Sequence, residues 1–136
     1  MAFTGPVEDR LAIRELLETY ADAVNRVDAG DWGATWAEDG RWSMPDYPQF
    51  PAVHGRDAIV ETWVGAMAQF PGVVFVATPG SIAVEGDRAT VRSYTSEVYD
   101  QDGATKRDRG LYDDVCVKRD GTWLFLSRTF KNIHRG

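Results

Sequence analysis

Residues 9–42, DRLAIRELLETYADAVNRVDAGDWGATWAEDGRW, constrain the fold most, because a helical period must yield to a strand there within a few residues. Apolar side chains recur at Leu11, Ile13, Leu16, Leu17, Tyr20, Val24 and Val27, with Arg14, Glu15, Glu18, Asp22 and Arg26 between them. That spacing predicts an amphipathic helix over residues 6–28. Pro6 suits a first helical turn, and Glu8 and Asp9 complement the positive end of the helix dipole. Ala29 and Gly30 break the helix, and Asp31 can cap a second, short helix carrying Trp32 and Trp36. Asp39 and Gly40 read as a turn, after which Arg41, Trp42, Ser43 and Met44 begin a strand.

Beyond this stretch the pattern changes once more. Residues 45–55 hold prolines, aromatics and His54 and read as a loop with a short extended piece. Residues 56–70 form another amphipathic helix, with Ile59, Val60, Trp63, Met67 and Phe70 on its apolar side. From residue 73 onward strands follow one another: 73–76, 81–85 after the Pro79–Gly80 interruption, 88–99, 106–118 and 122–130. Gly86 and Asp87, Asp102 and Gly103, and Asp120 and Gly121 are the connections expected of an antiparallel meander. Helices first and strands after give an α+β chain, with helices on one face of a curved, mainly antiparallel sheet. Residues 1–136 form a single domain.

Composition excludes several partners. A net charge of −6 argues against nucleic acid and anionic membranes, since both need clustered Lys and Arg. One cysteine, Cys116, allows no internal disulfide and reads as a small buried hydrophobe in a strand. Without a basic leader or a run of 18 apolar residues, a cytoplasmic protein is expected. Two separate histidines and scattered carboxylates have no metal-ligand spacing, and no Gly-rich phosphate loop follows a strand. No metal and no cofactor are therefore expected. Five tryptophans suit either a core or the wall of a pocket for an apolar ligand.

With these elements placed, the chain resembles the SnoaL-like branch of the nuclear transport factor 2-like superfamily. The resemblance is carried by Ile13-Arg14-Glu15-Leu16 with Tyr20 and Asp28, by Asp31-Trp32 and Trp36-Ala37-Glu38-Asp39-Gly40, and by His54-Gly55-Arg56-Asp57-Ala58-Ile59. Gly110-Leu111-Tyr112, Arg119-Asp120-Gly121-Thr122-Trp123 and Arg128 complete it. It implies an α+β cone, a barrel-like sheet wrapped around a deep pocket that the helices plug. The scytalone dehydratases, hexachlorocyclohexane dehydrochlorinases and bile-acid dehydratases of this superfamily are cofactor-free. In them an Asp at the end of the first helix orients a His on the third strand, which removes a proton. Asp28 matches that aspartate by position, whereas the matching strand reads Phe75-Val76-Ala77-Thr78-Pro79 and holds no histidine.

The candidate catalytic residues are Asp28, Tyr20 and His54. Asp28 is either a base facing the pocket or a link between the first helix and the next turn through backbone N–H groups. Tyr20 lies two turns before it on nearly the same face and can stabilise a developing oxyanion, or be a core tyrosine satisfied by backbone. His54 can replace the missing strand histidine or make a surface hydrogen bond; His134, near the end of the sequence, belongs to a mobile terminal segment or folds over the pocket. Trp42, Trp63, Met67, Phe70, Phe75 and Tyr112 are candidate substrate-contacting walls, or ordinary core. Arg128 interrupts an apolar strand and either pairs with a carboxylate such as Asp114 or Asp28 or binds a substrate anion. Strand alternation places Gly110, Tyr112, Asp114 and Cys116 on one face and Leu111, Asp113, Val115 and Val117 on the other, without saying which face lines the pocket. The expected function is a cofactor-independent lyase or isomerase acting on a small apolar cyclic or aromatic molecule. The alternative is a non-catalytic module that binds a hydrophobic ligand or another protein. Apolar residues at both strand parities, among them Val91, Tyr94, Val98 and Tyr99, also point to a homodimer formed through the open sheet face.

Overall fold

The first helix stops because Val27 adopts a left-handed conformation (φ 51°, ψ 46°), with its N–H turned back onto the carbonyls of Ala23 and Val24. A β-branched residue disfavours that geometry, and the strain places Asp28 at the start of the next element. A computed structural model describes residues 2–136. Its elements are β1 (Phe3–Thr4), α1 (Val7–Arg26), α2 (Ala29–Gly33), β2 (Trp36–Ser43), β3 (Val53–His54), α3 (Arg56–Met67), β4 (Val74–Glu85), β5 (Arg88–Gln101), β6 (Ala104–Arg119) and β7 (Thr122–His134).

The expected α+β cone is present, as helices packed on one seven-stranded sheet of order β1-β4-β5-β6-β7-β2-β3. The β1–β4 and β2–β7 pairs are parallel and the others antiparallel. Register shifts at Pro79/Ser81, Arg109/Gly110 and Val115/Cys116 each add a residue to one strand. Such bulges increase local twist and bend the sheet. Asp102 and Asp120 (φ 53° and 51°), each followed by a left-handed glycine, make two of the three tight turns of the meander, and Gly86 (φ 62°) with Asp87 makes the other.

Several boundaries differ from the sequence reading. The short helix is capped by Asp28 rather than Asp31, and it ends at Gly33, so Trp36 opens β2 instead of lying on a helix. Asp39 and Gly40 lie inside β2, where the pairing with β7 slips between Trp36 and Arg41. Neither residue has a register partner on β7, so the local turn preference is expressed as an irregularity within the strand rather than as its start. Likewise Pro79 and Gly80 mark a bulge within one continuous β4, and β7 runs on to His134. The two-residue β1 was not foreseen.

All five tryptophans are buried. Trp32 stacks on Trp63 with ring centroids 4.5 Å apart and planes 7° from parallel, joining α2 to α3. Gly33 permits this approach, since a Cβ there would stand 2.7 Å from Val60 Cγ2. At Gly110 the space a side chain would need is filled by the Phe130 ring of β7. Asp9 ties the start of α1 to the meander by accepting from Trp123 Nε1 at 3.0 Å and Lys118 Nζ at 3.1 Å. Among the described residues, no helix is long and apolar enough to cross a membrane.

Beneath the core lies a buried ion pair. Arg128 Nε and Nη2 donate to the two carboxylate oxygens of Asp114 at 2.9 and 3.1 Å, and the side chains are 1% and 0% exposed. Removing one partner strands a charge where water cannot reach it. Asp114→Ala is therefore expected to cost about 3–5 kcal/mol of folding free energy, measured by urea denaturation. Replacing both residues by apolar ones should cost less than that single change.

Candidate functional site

The concave side of the sheet encloses a cavity of about 590 Å³. Tyr20 and Val24 of α1, Trp63 and Met67 of α3, Trp42 of β2, Phe75 of β4, Tyr112 of β6 and Phe130 of β7 form its apolar wall. The 44–50 loop adds Met44, Tyr47, Gln49 and Phe50. That loop is pinned to the end of β7: Asn132 N donates to Asp46 Oδ2 at 2.8 Å, and Asn132 Nδ2 donates to the Tyr47 hydroxyl. The Oδ1 of Asn132, buried in this wall, has no partner among the described residues.

The aromatic floor is electrostatically organised from behind. The guanidinium carbon of Arg128 lies 3.7 Å from the ring centre of Tyr112, 4.1 Å from that of Phe125 and 4.4 Å from that of Tyr20. Trp42 Nε1 donates to the Tyr112 hydroxyl at 3.2 Å. Burial pushes both phenols above their ordinary pKa, Tyr112 especially. They therefore stay protonated at neutral pH. Burial opposes the charge on Arg128, yet the charge of Asp114 holds its guanidinium above the ordinary value. Asp114 is itself pushed up by burial, against the pull of Arg128; the bidentate contact is that of an ion pair.

Farther along the same strands stands a pair of carboxyl groups. Glu97 on β5 is the register partner of Asp108 on β6, and both line the cavity with Gln101 and Arg135. Asp108 is fixed by the Tyr99 hydroxyl, which donates to Oδ2 at 2.9 Å, and by Gly136 N, which donates to Oδ1 at 3.1 Å. Burial, and after it the charge of Asp108, push the Glu97 carboxyl up to about 7. Burial and the bond to Asp108 push the Tyr99 phenol up to about 12.

The structure brings Tyr20, Trp42, Trp63, Met67, Phe75 and Tyr112 together around this cavity. Asp28, His54 and Arg128 are not among its lining residues. Asp28 corrects the expectation of a pocket-facing base. Its Oδ1 accepts from Asp31 N at 2.9 Å as the cap of α2, and its Oδ2 accepts from Arg26 Nη1 at 2.8 Å. The Asp31 N–H, then Arg26, hold its carboxyl below the ordinary value. His54 is exposed on β3 opposite Arg41, and His134 is exposed on β7 opposite Arg109. Arg128 pairs with Asp114, one of the two carboxylates considered for it, behind the floor.

The α1 side chain that hydrogen-bonds to β4 is Asn25. Its Oδ1 accepts from Phe75 N at 2.6 Å and its Nδ2 donates to Phe75 O at 3.0 Å. An amide gripping backbone thus occupies the helix–strand contact where a carboxylate and an imidazole were looked for. Glu97, Asp108, Asn132 and Arg135 were also missed. Asp108 was legible, since it shares strand parity with Gly110, Tyr112, Asp114 and Cys116, the face that proves buried. Among the described residues, no cluster of three or more His, Cys, Asp or Glu could hold a metal ion.

Residues 6–129 match the SnoaL-like domain. The chain belongs to that family. A relative, an uncharacterized protein of Mycobacterium tuberculosis, is 26% identical over 132 residues, covering 94% of this chain and 88% of its own length. In structure the SnoaL-like chain is similar to a protein of Novosphingobium aromaticivorans provisionally assigned as a scytalone dehydratase. The TM-score is 0.85 at 25% identity, over 96% of this chain and 87% of the other. A hexachlorocyclohexane dehydrochlorinase from Novosphingobium barchaimii shares the fold, with a TM-score of 0.78 at 15% identity over 96% and 90% of the two chains.

Two outcomes follow for this SnoaL-like site. Between the ordinary value of 4.5 and about 7, the folded chain keeps a proton on Glu97 that the unfolded chain has released, so this carboxyl makes stability fall as pH rises through that window. Glu97→Gln should therefore melt at a higher temperature than the parent at pH 8 and at about the same temperature at pH 4, followed by circular dichroism. Asn caps helices as well as Asp does, so Asp28→Asn should leave the urea midpoint and ligand binding in the cavity nearly unchanged.

Proposed function

We propose that the chain is a cofactor-independent lyase or isomerase that moves a proton on a small, largely apolar, cyclic or aromatic molecule. One observation carries this reading: a single aromatic-walled cavity is lined by both phenols, Tyr20 and Tyr112, and carboxyl groups, Glu97 and Asp108. An apolar ring is favoured by the wall. A substrate oxygen that gains negative charge as the proton leaves would meet the hydroxyls of Tyr20 and Tyr112, with the fixed positive charge of Arg128 behind them. The names of the structural relatives, a dehydratase and a dehydrochlorinase, are consistent with proton removal beside a leaving group.

Asp28 and His54 have no part in this scheme, because neither lines the cavity. Absence of a histidine on β4 favours the second reading, a module that binds such ligands without turning them over. Turnover separates the two. In a screen of cyclic hydroxyketones followed by the ultraviolet absorbance of an enone product, the lyase reading expects product and the binding reading expects none. With a substrate so found, Tyr112→Phe should lower kcat by roughly 10²-fold, the usual loss of one oxyanion donor, while the far-ultraviolet spectrum stays unchanged.

We read the outer face of the sheet as a homodimer surface, since Val74, Val76 and Tyr94 are exposed there. Light scattering at micromolar concentration should give twice the chain mass.

A further inference from the structure

Glu97 and Asp108 face each other across the β5–β6 ladder, where directly opposed residues place their Cβ atoms ~5 Å apart. Their surroundings differ. Asp108 is buried and already accepts from Tyr99 and from Gly136 N, so both of its oxygens are engaged. Glu97 has no hydrogen-bond partner among the described residues, and its side chain lines the cavity. On its other flank the register partner is the apolar Phe75 of β4, whose backbone is held by Asn25. The charged and titratable groups that line the cavity with it are Asp108 on β6, Arg135 beyond β7, Tyr47 of the loop, and Tyr20 and Tyr112 at the floor; Tyr99 stands behind Asp108.

A carboxyl group with free oxygens, set beside one whose oxygens are taken, has the division of labour of an acid–base pair. We infer that Glu97 is the proton-transferring group of this cavity and that Asp108 is its positioning and tuning residue, anchored by Tyr99 and by the backbone of Gly136. The inference rests on the reading of the cavity as a proton-transfer site and names the group that acts there. The Glu97 carboxylate takes a proton from a substrate carbon. The C–H electron pair becomes a new double bond, and the leaving group departs with its own bonding pair, or the pair is held as an enolate. The carboxylic acid so formed returns the proton to the leaving group or to another carbon, so nothing is oxidised or reduced. Such a group works best when its pKa lies near the working pH, and burial beside Asp108 places Glu97 at about 7.

The probe is 5-nitrobenzisoxazole, a neutral aromatic whose ring opens when a base removes its single heterocyclic C–H proton. The C–H pair forms a nitrile, the N–O bond breaks, and a coloured phenolate is released. Tryptophan fluorescence quenching reports binding separately, since Trp42 and Trp63 line the cavity. For the parent chain we expect quenching and a rate that rises with pH through an inflection at about 7. In Glu97→Gln, quenching should persist while the rate falls by about 10²-fold or more, the usual contribution of a positioned base. In Asp108→Asn, the inflection should move down toward the ordinary carboxylate range. Carboxyl ¹³C spectra of the parent should show one glutamate titrating near neutrality, and that resonance should be missing in Glu97→Gln. Quenching with an undiminished rate in Glu97→Gln, or no glutamate titrating near neutrality, would overturn the inference alone. Absence of quenching in the parent would overturn the aromatic-cavity reading together with it.

Discussion

The geometry of the cavity depends on one buried charge. Arg128 is almost wholly enclosed, and a guanidinium remains protonated under any folding condition, so the fold must supply an anion and apolar faces that tolerate it. Asp114 provides the anion, and the rings of Tyr20, Tyr112 and Phe125 provide the faces. These residues come from α1, β6 and β7, so meeting the needs of one side chain fixes how the first helix lies on the end of the meander. The two phenols that floor the cavity are oriented by the same contact.

Local structure was legible wherever one rule acted alone. The Asp-Gly turns, the alternation along β6 and the amphipathic stripe of α1 each follow from nearest-neighbour chemistry, and the meander and helices appear where those signals place them. Boundaries were lost where tertiary pairing competes with local preference. Asp39 and Gly40 carry a turn signature, but pairing with β7 on either side, at Trp36 and from Arg41 onward, makes them an irregularity inside β2 instead of its boundary. Asp28 has the sequence position of a pocket carboxylate, yet the left-handed Val27 turns the chain so that it caps α2. No residue count predicts that rotation, since a shift of one residue moves a side chain by about 100° around a helix.

The polar end of the site was hidden for a related reason. Glu97 and Asp108 are ordinary in sequence, and they gain meaning only from a strand register that sets one against the other. Where the resemblance leads one to look for a carboxylate and an imidazole, this chain has Asn25 clasping the backbone of Phe75. The carboxyl groups of this cavity thus come from β5 and β6, while its apolar wall is shared among α1, α3, β2, β4, β6 and β7.

Gly110 and Phe130 add a constraint on how such a cavity diversifies. The ring of Phe130 occupies the room that any side chain at position 110 would require, and it also forms part of the cavity wall. The two positions share one parcel of space. A bulkier residue at 110 would demand a smaller one at 130, and the exchange would move part of the cavity wall from β7 to β6. The shape of the cavity is therefore set jointly by two positions on neighbouring strands, and a paired exchange would redraw it without touching a titratable group.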